Sequence, residues 1–432
     1  MKKLHRVLSV VLSVVLALGL FTACGSAAAS GSAAASGDQA SIEVFTRFAD
    51  GASKDYFDQV AQSFMEKNPN IKVTVTSADN QNYKEEINVR LASNETPDIY
   101  FAWSGVYAQN FADGGRALDL TPYLEKDTDW KNSIIASQWG PFTFADKTYG
   151  VPIIMDGKTF YYNKDIFKEL NLSVPENWDD FMTVLDTLSK SDYIPISLGN
   201  SEDWATGHYM TTLNQRVVPA ETLAADYALT SDNCFTDPTY VTALNYLQQL
   251  VPYFTPDCNA VGYDQGISDF TSGKAAIYYE QFNQVQYIEP ATFDWGWFDF
   301  PDIEGAAGDQ NALTGAPQGF MVSADTKYPD ACISFLKYLT SMDVAGKMVK
   351  DTQMFSTVDG AINKDTASDT FIQIADTIKA ASSINPWLDN MTDSEVVTVY
   401  LADIQAMVGG TMTADQVMAD VQAKAAEVKA SK

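Results

Sequence analysis

Apolar and polar residues alternate through Ile42-Glu43-Val44-Phe45-Thr46, a period-two run that predicts a strand. The period then lengthens: Phe57, Val60, Ala61, Phe64 and Met65 recur at helical spacing, and Asn68-Pro69-Asn70 ends that helix. Ile71-Lys72-Val73-Thr74-Val75 returns to period two. Strand, helix and strand in so short a span predict a βαβ unit and a parallel sheet. Pro97-Asp98-Ile99-Tyr100-Phe101 predicts another strand, running into the loop Ala102-Trp103-Ser104-Gly105. Doubly wound sheets meet ligands just beyond the carboxyl ends of their strands, which draws attention to that loop. Near the far end Gly409-Gly410 breaks the chain, and Thr413-Ala414-Asp415-Gln416 has the spacing of a capping box. It opens a last helix that is expected to bury Val417, Val421 and Val428.

The first residues follow neither period. Lys2, Lys3, His5 and Arg6 precede a mostly apolar run over residues 7–21, too short to span a bilayer comfortably, which predicts a signal peptide over residues 1–23. The run ends in Leu20-Phe21-Thr22-Ala23-Cys24-Gly25, where small residues flank the thiol. This resembles the lipobox of bacterial lipoproteins and implies that Cys24 becomes the lipidated first residue of the mature chain. The plainer alternative is an ordinary secretory signal with a chance cysteine. A doubled hexamer, Gly25-Ser26-Ala27-Ala28-Ala29-Ser30 and Gly31-Ser32-Ala33-Ala34-Ala35-Ser36, has nothing to bury. Residues 24–40 therefore read as the lipidated cysteine and a flexible tether.

Charge narrows the partners. The net charge is −28, and removing Lys2, Lys3 and Arg6 with the signal takes it to −31. So acidic a chain is not expected to bind nucleic acid by phosphate neutralisation, and it repels anionic lipid, so attachment to a membrane must come from the lipid on Cys24. With 46% apolar and 12% aromatic residues there is material for a packed core. About 390 residues follow the tether, more than one core usually supports, and two lobes are expected. Cys234 and Cys258 lie in polar, turn-rich sequence, and a disulfide between them is left open; Cys332 falls on the apolar face of a helix and is expected to be a buried free thiol.

Tyr149-Gly150-Val151-Pro152, then Tyr161-Tyr162-Asn163-Lys164-Asp165-Ile166-Phe167, then Pro175-Glu176-Asn177-Trp178-Asp179-Asp180-Phe181, then Ile194-Pro195-Ile196 follow one another in order. Further along come Phe270-Thr271-Ser272-Gly273-Lys274-Ala275-Ala276-Ile277, Phe300-Pro301, an apolar helical segment over residues 331–341 and Leu388-Asp389-Asn390. This series resembles the extracellular solute-binding proteins of carbohydrate ABC transporters, the family that includes maltose-binding protein, and covers the chain from residue 41 onward. The resemblance implies an α/β, two-lobed periplasmic-binding-protein-like fold with a hinge and Venus-flytrap closure. It places residues 41–155 and 291–340 in the first lobe, and 156–290 and 341–432 in the second. It also implies a monomer held at the outer face of a bacterial cell membrane by the lipid on Cys24, an oligosaccharide ligand, ABC permease subunits as partners and no cofactor.

A sugar presents apolar C–H faces and hydroxyl edges, so its site needs aromatic platforms and directed polar groups. Tryptophans in polar, loop-like sequence are the candidates. Trp103 and Trp204 stand where the family places cleft aromatics, Trp387 in Asn385-Pro386-Trp387-Leu388-Asp389 is similar, and Trp297 in Trp295-Gly296-Trp297 is a weaker case. Packing is the alternative for each, and Trp178 is read as packing outright. Asp156, after Val151-Pro152-Ile153-Ile154-Met155, stands where the family carries an acidic ligand contact at the crossover between lobes. Alanine at Trp204 or Asp156 is therefore expected to abolish binding and leave the melting temperature of the unliganded protein nearly unchanged. Arg47, Phe48 and Asp50 follow the first strand, with a solvated surface as the alternative for the two charges. Glu280 and Phe282 lie where relatives commonly show Gly-x-Trp, but Gln281 and Asn283 replace those two residues, which argues against a maltodextrin. Gln318 either reaches the cleft or caps a turn, and Asp389 completes the set. His208, the only histidine after the signal, has no triad or metal partner motif and reads as a ligand donor or a packed loop residue.

No Gly-x-Ser-x-Gly elbow, His-Glu-x-x-His or dinucleotide fingerprint is present, and Ser272-Gly273-Lys274-Ala275 lacks the flanking residues of a phosphate loop. Capture without chemistry is the expected activity and no catalytic residue is assigned. Two alternatives remain: a non-sugar solute such as a polyamine, held by acidic and aromatic groups, and a secreted glycoside hydrolase using two of the 56 acidic residues.

Overall fold

The computed structural model describes residues 39–431 except Asn94 and Ser382. The expected signal peptide, Cys24 and nearly all of the tether lie outside the described residues.

Five strands form the first sheet, in the order Ile71–Ser77, Ala40–Thr46, Ile99–Trp103, Gln318–Val322, Gly150–Ile154. The first three run parallel, as the strand-helix-strand pattern predicts, and Gln318–Val322 enters antiparallel between Ile99–Trp103 and Gly150–Ile154. Helix Gly51–Lys67 covers this sheet because Tyr56, Phe57, Val60, Ala61 and Phe64 share one face and are buried there, while the Asn68 side chain donates to the Phe64 carbonyl and closes the last turn. The second sheet runs Trp295–Phe298, Lys158–Asn163, Ala275–Gln281, Ile194–Ser197, with only the last pair parallel. Its core gathers Phe160, Phe181, Tyr209, Tyr279 and Tyr400. Trp178 belongs there too: it starts helix Trp178–Leu188, 6% exposed, with Nε1 donating to Gln249.

Two segments lie elsewhere than the expected lobe boundaries. Trp295–Phe298, expected in the first lobe with residues 291–340, pairs with Lys158–Asn163, and Phe298, Phe300 and Ile303 join the second core. Gly296 permits this edge, since a Cβ there would stand 2.7 Å from the Tyr162 ring. Helix Met342–Thr352, expected in the second lobe with residues 341–432, packs on the first: Val344, Ala345 and Met348 join its core, and Tyr56 donates to the Val344 carbonyl.

The last helix is opened by the capping box read from sequence. Gln416 N–H donates to Thr413 Oγ1 at 3.3 Å, and Thr413 N–H donates to Gln416 Oε1 at 2.9 Å. Val417, Val421 and Val428 are buried on that helix. Cys234, Cys258 and Cys332 are all buried free thiols, so the first two are not joined. Among the described residues no helix is long and apolar enough to cross a membrane.

The chain passes between the lobes at Met155, Asp156 and Gly157, which link Gly150–Ile154 to Lys158–Asn163. A second crossing presses Gly315 so close that an added Cβ would stand 2.3 Å from the Asp156 carbonyl oxygen, a spacing only glycine allows.

Candidate functional site

Between the lobes lies a cavity of about 1020 Å³. From the first lobe come Arg47, Phe48 and Asp50, which follow strand Ala40–Thr46, and Trp103, the last residue of Ile99–Trp103. These are carboxyl ends of strands, where an α/β sheet meets ligand. The second lobe contributes Glu202, Trp204 at the start of helix Trp204–Val217, Tyr263 at the start of Tyr263–Thr271, and the stretch after Ala275–Gln281 that includes Asn283 and Tyr287. Aromatic groups thus line the cavity from both sides: Phe48 and Trp103 on one, Trp204, Tyr263 and Tyr287 on the other.

Beneath the cavity runs a buried polar chain. Arg47 lies over the Phe48 ring at 4.4 Å and the Phe101 ring at 5.1 Å, and donates through Nη2 to Gln318 Oε1 at 2.8 Å. Gln318 Nε2 donates to Asp156 Oδ2 at 3.3 Å, and Asn283 Nδ2 donates to the same oxygen at 2.6 Å. The backbone N–H groups of Gly157 and Asn283 donate to Asp156 Oδ1. Burial brings Arg47 down to about 10, still a cation at neutral pH, and pushes the Asp156 carboxyl up to about 7 against those backbone donors. Deeper in the second lobe, Lys158 Nζ lies 3.3 Å from Glu280 Oε1, both side chains almost wholly buried, and Tyr278 donates to Glu280 Oε2.

The Asp156 shift has a sign that can be measured. Unfolded, the group ionises near 3.8; folded, it holds its proton until about 7, so between the two values the folded state binds more protons. Its contribution is therefore fully present below the unfolded value and lost as pH rises through the folded one. Melting temperatures taken from about pH 4 to about pH 8 should fall more steeply for the wild type than for Asp156→Asn, and parallel curves would contradict the assignment.

Of the residues singled out from sequence, Arg47, Phe48, Asp50, Trp103 and Trp204 line the cavity. Asp156 and Gln318, each 1% exposed, form the floor beneath Arg47. Glu280 is held by Lys158 and Tyr278, and Phe282 is fully buried in a cluster with Phe355. Trp297 packs half-buried at the edge of the second sheet. His208, Trp387 and Asp389 form a group behind Trp204: the His208 ring lies 5.0 Å from Trp204 and 4.8 Å from Trp387, with Nε2 3.9 Å from Asp389 Oδ1. Burial drives His208 well below its ordinary range, so the imidazole is neutral. Asp389 also meets Lys84 of the first lobe, Nζ to Oδ2 3.5 Å, and Lys84 lies 4.9 Å over the Trp103 ring, so one cation touches both lobes beside the cleft.

Sequence reasoning missed Glu202, Tyr263, Asp264 and Tyr287. Tyr287 carried a signal: in Val285-Gln286-Tyr287-Ile288 the residues three apart, Val285 and Ile288, are buried, which turns Tyr287 outward, 51% exposed and against the cavity.

The family model described as bacterial extracellular solute-binding protein matches residues 49–346. An uncharacterized ABC transporter extracellular-binding protein of Pyrococcus horikoshii is 23% identical over 304 residues, 67% of this chain and 66% of that protein. The multiple sugar-binding protein of Streptococcus mutans is 24% identical over 321 residues, 70% of this chain and 72% of its own length. Among solved structures, a chitin oligosaccharide binding protein superposes with a TM-score of 0.83 at 21% identity, covering 91% of this chain and all of that one.

Proposed function

This chain belongs to the bacterial extracellular solute-binding proteins, and from that premise we propose that it captures an oligosaccharide between its two lobes and delivers it to the permease of an ABC importer. The observation that carries this reading is the pairing of aromatic faces across the cavity, Trp103 and Phe48 against Trp204, Tyr263 and Tyr287, with amides and carboxylates between them. Sugar rings stack on such faces, and their hydroxyls exchange hydrogen bonds with the polar groups. The cavity of about 1020 Å³ stands at the large end of ligand sites, which favours several sugar units over one. Ligand touches both lobes only when they are closed, so binding draws the population toward the closed form that a permease recognises. The sugar-binding name of the Streptococcus mutans relative supports the same solute class.

Cys24, lipidated after cleavage, anchors the chain at the outer face of the cell membrane. The Gly-Ser-Ala tether lets the lobes reach the permease and raises their effective concentration there. No chemistry on the ligand is part of this role.

Thermal-shift and calorimetric screening of the protein against neutral oligosaccharides and polyamines tests the reading. Oligosaccharides are expected to raise the melting temperature and return unhydrolysed. Stabilisation by polyamines alone would replace the sugar with a cationic solute, and release of reducing sugar would make the protein a hydrolase.

A further inference from the structure

We propose that the cleft sorts glycans by charge, taking neutral or amine-bearing units and rejecting those that carry a carboxylate, sulfate or phosphate; this rests on the sugar-binding reading above. Carboxylates reach the cavity from both lobes, Asp50 and Asp79 from the first, Glu202 and Asp264 from the second. Arg47 is the single basic residue on the cavity wall among the described residues, and its guanidinium is held within the protein. It stacks on Phe48 and Phe101, gives Nη2 to Gln318 and faces Asp156, while its buried Nε has no hydrogen-bond partner. Below it the Lys158 and Glu280 charges cancel, and Lys84 beside the cleft is paired with Asp389, so Arg47 alone is set against the four carboxylates around the cavity.

A second observation is independent of net charge. Asn283 lines the cavity, is only 5% exposed, and spends Nδ2 on Asp156, which leaves Oδ1 with no hydrogen-bond partner. Gln284, on the same wall, likewise has an unpartnered Oε1. Both are acceptors. A buried acceptor is satisfied by a hydroxyl, an amide N–H or an ammonium, and an anionic oxygen has no hydrogen to give it. Two of the three unpartnered polar atoms on this wall therefore ask for ligand donors; the third, Arg47 Nε, is served by the oxygen of a neutral hydroxyl, which answers both needs, and the field of the surrounding carboxylates repels the one class of substituent that supplies no donor.

The test is calorimetry on the full chain with length-matched gluco-, galacto-, manno- and xylo-oligosaccharides, each also in a uronate form, by oxidation of one unit in the hexose series and by one glucuronosyl branch in the xylo series, and in a form bearing one free amine. The uronate form of whichever series binds is expected to bind about tenfold more weakly than its neutral partner at low salt, the gap narrowing as salt screens the carboxylates. The amine form should bind at least as well as the neutral one. Glu202→Gln combined with Asp264→Asn should raise the uronate-to-neutral affinity ratio. A uronate bound as tightly as its neutral partner overturns the charge inference alone. A uronate deficit that neither salt nor the double variant relieves reports a missing hydroxyl and overturns it as well. If no neutral member of any series binds, the sugar reading itself fails.

Discussion

Trp204→Ala is expected to weaken oligosaccharide binding at least roughly thirtyfold while lowering the melting temperature of the unliganded protein by no more than about 3 °C. Trp204 starts its helix at the mouth of the second lobe, half-buried, with one side against His208 and Tyr263 and the other lining the cavity. Covering such a face with a sugar removes on the order of 80 Å² of apolar surface from water, about 2 kcal/mol, which converts to that loss in Kd. Stability depends far less on the ring, because Tyr209, Met210 and Leu213 on the same helix hold it to the core. Calorimetry and a melting curve on the same preparation decide the matter. A large fall in melting temperature with affinity intact would make Trp204 a packing residue.

Local periodicity made the elements legible, and the strand ends it marks lie on the cavity wall. Arg47, Phe48 and Trp103 sit where the carboxyl ends of two parallel strands converge, and the capping box at Thr413 and Gln416 forms as its spacing requires. Depth was not legible. Glu280 and Asp156 stand next to residues that line the cavity, yet their side chains turn inward to Lys158 and to Asn283, partners more than a hundred residues away. Sequence spacing states which face of a strand a residue occupies, not what the fold brings against that face. The same limit explains Trp295–Phe298, whose alternating burial marks an edge strand without saying which sheet it joins. It also explains Cys234 and Cys258, whose polar, turn-rich surroundings left a disulfide between them open and which the second core buries as separate thiols.

Depth also changes what should be expected of Asp156→Ala. A carboxylate at a cleft surface is removed with little effect on the unliganded protein, and that was the expectation from its position at the crossover. Asp156 instead accepts four hydrogen bonds, from Gly157 N–H, Asn283 N–H, Asn283 Nδ2 and Gln318 Nε2, in a site 1% exposed. Alanine leaves those donors unpaired where water does not replace the lost acceptor, and it removes the carboxyl that faces the buried Arg47 guanidinium. Stranding buried donors beside a buried cation costs about 3 kcal/mol in combination, so the unliganded protein should melt about 4 °C lower. Binding should fail as well, since Gln318 and Asn283 lose the anchor that orients them, and with them the Arg47 side chain on the cavity wall. Trp204→Ala and Asp156→Ala then separate two kinds of site residue: one touches the ligand and leaves the fold alone, the other holds the floor and takes both down. An Asp156→Ala protein that melts with the wild type would mean that the floor network rearranges without loss.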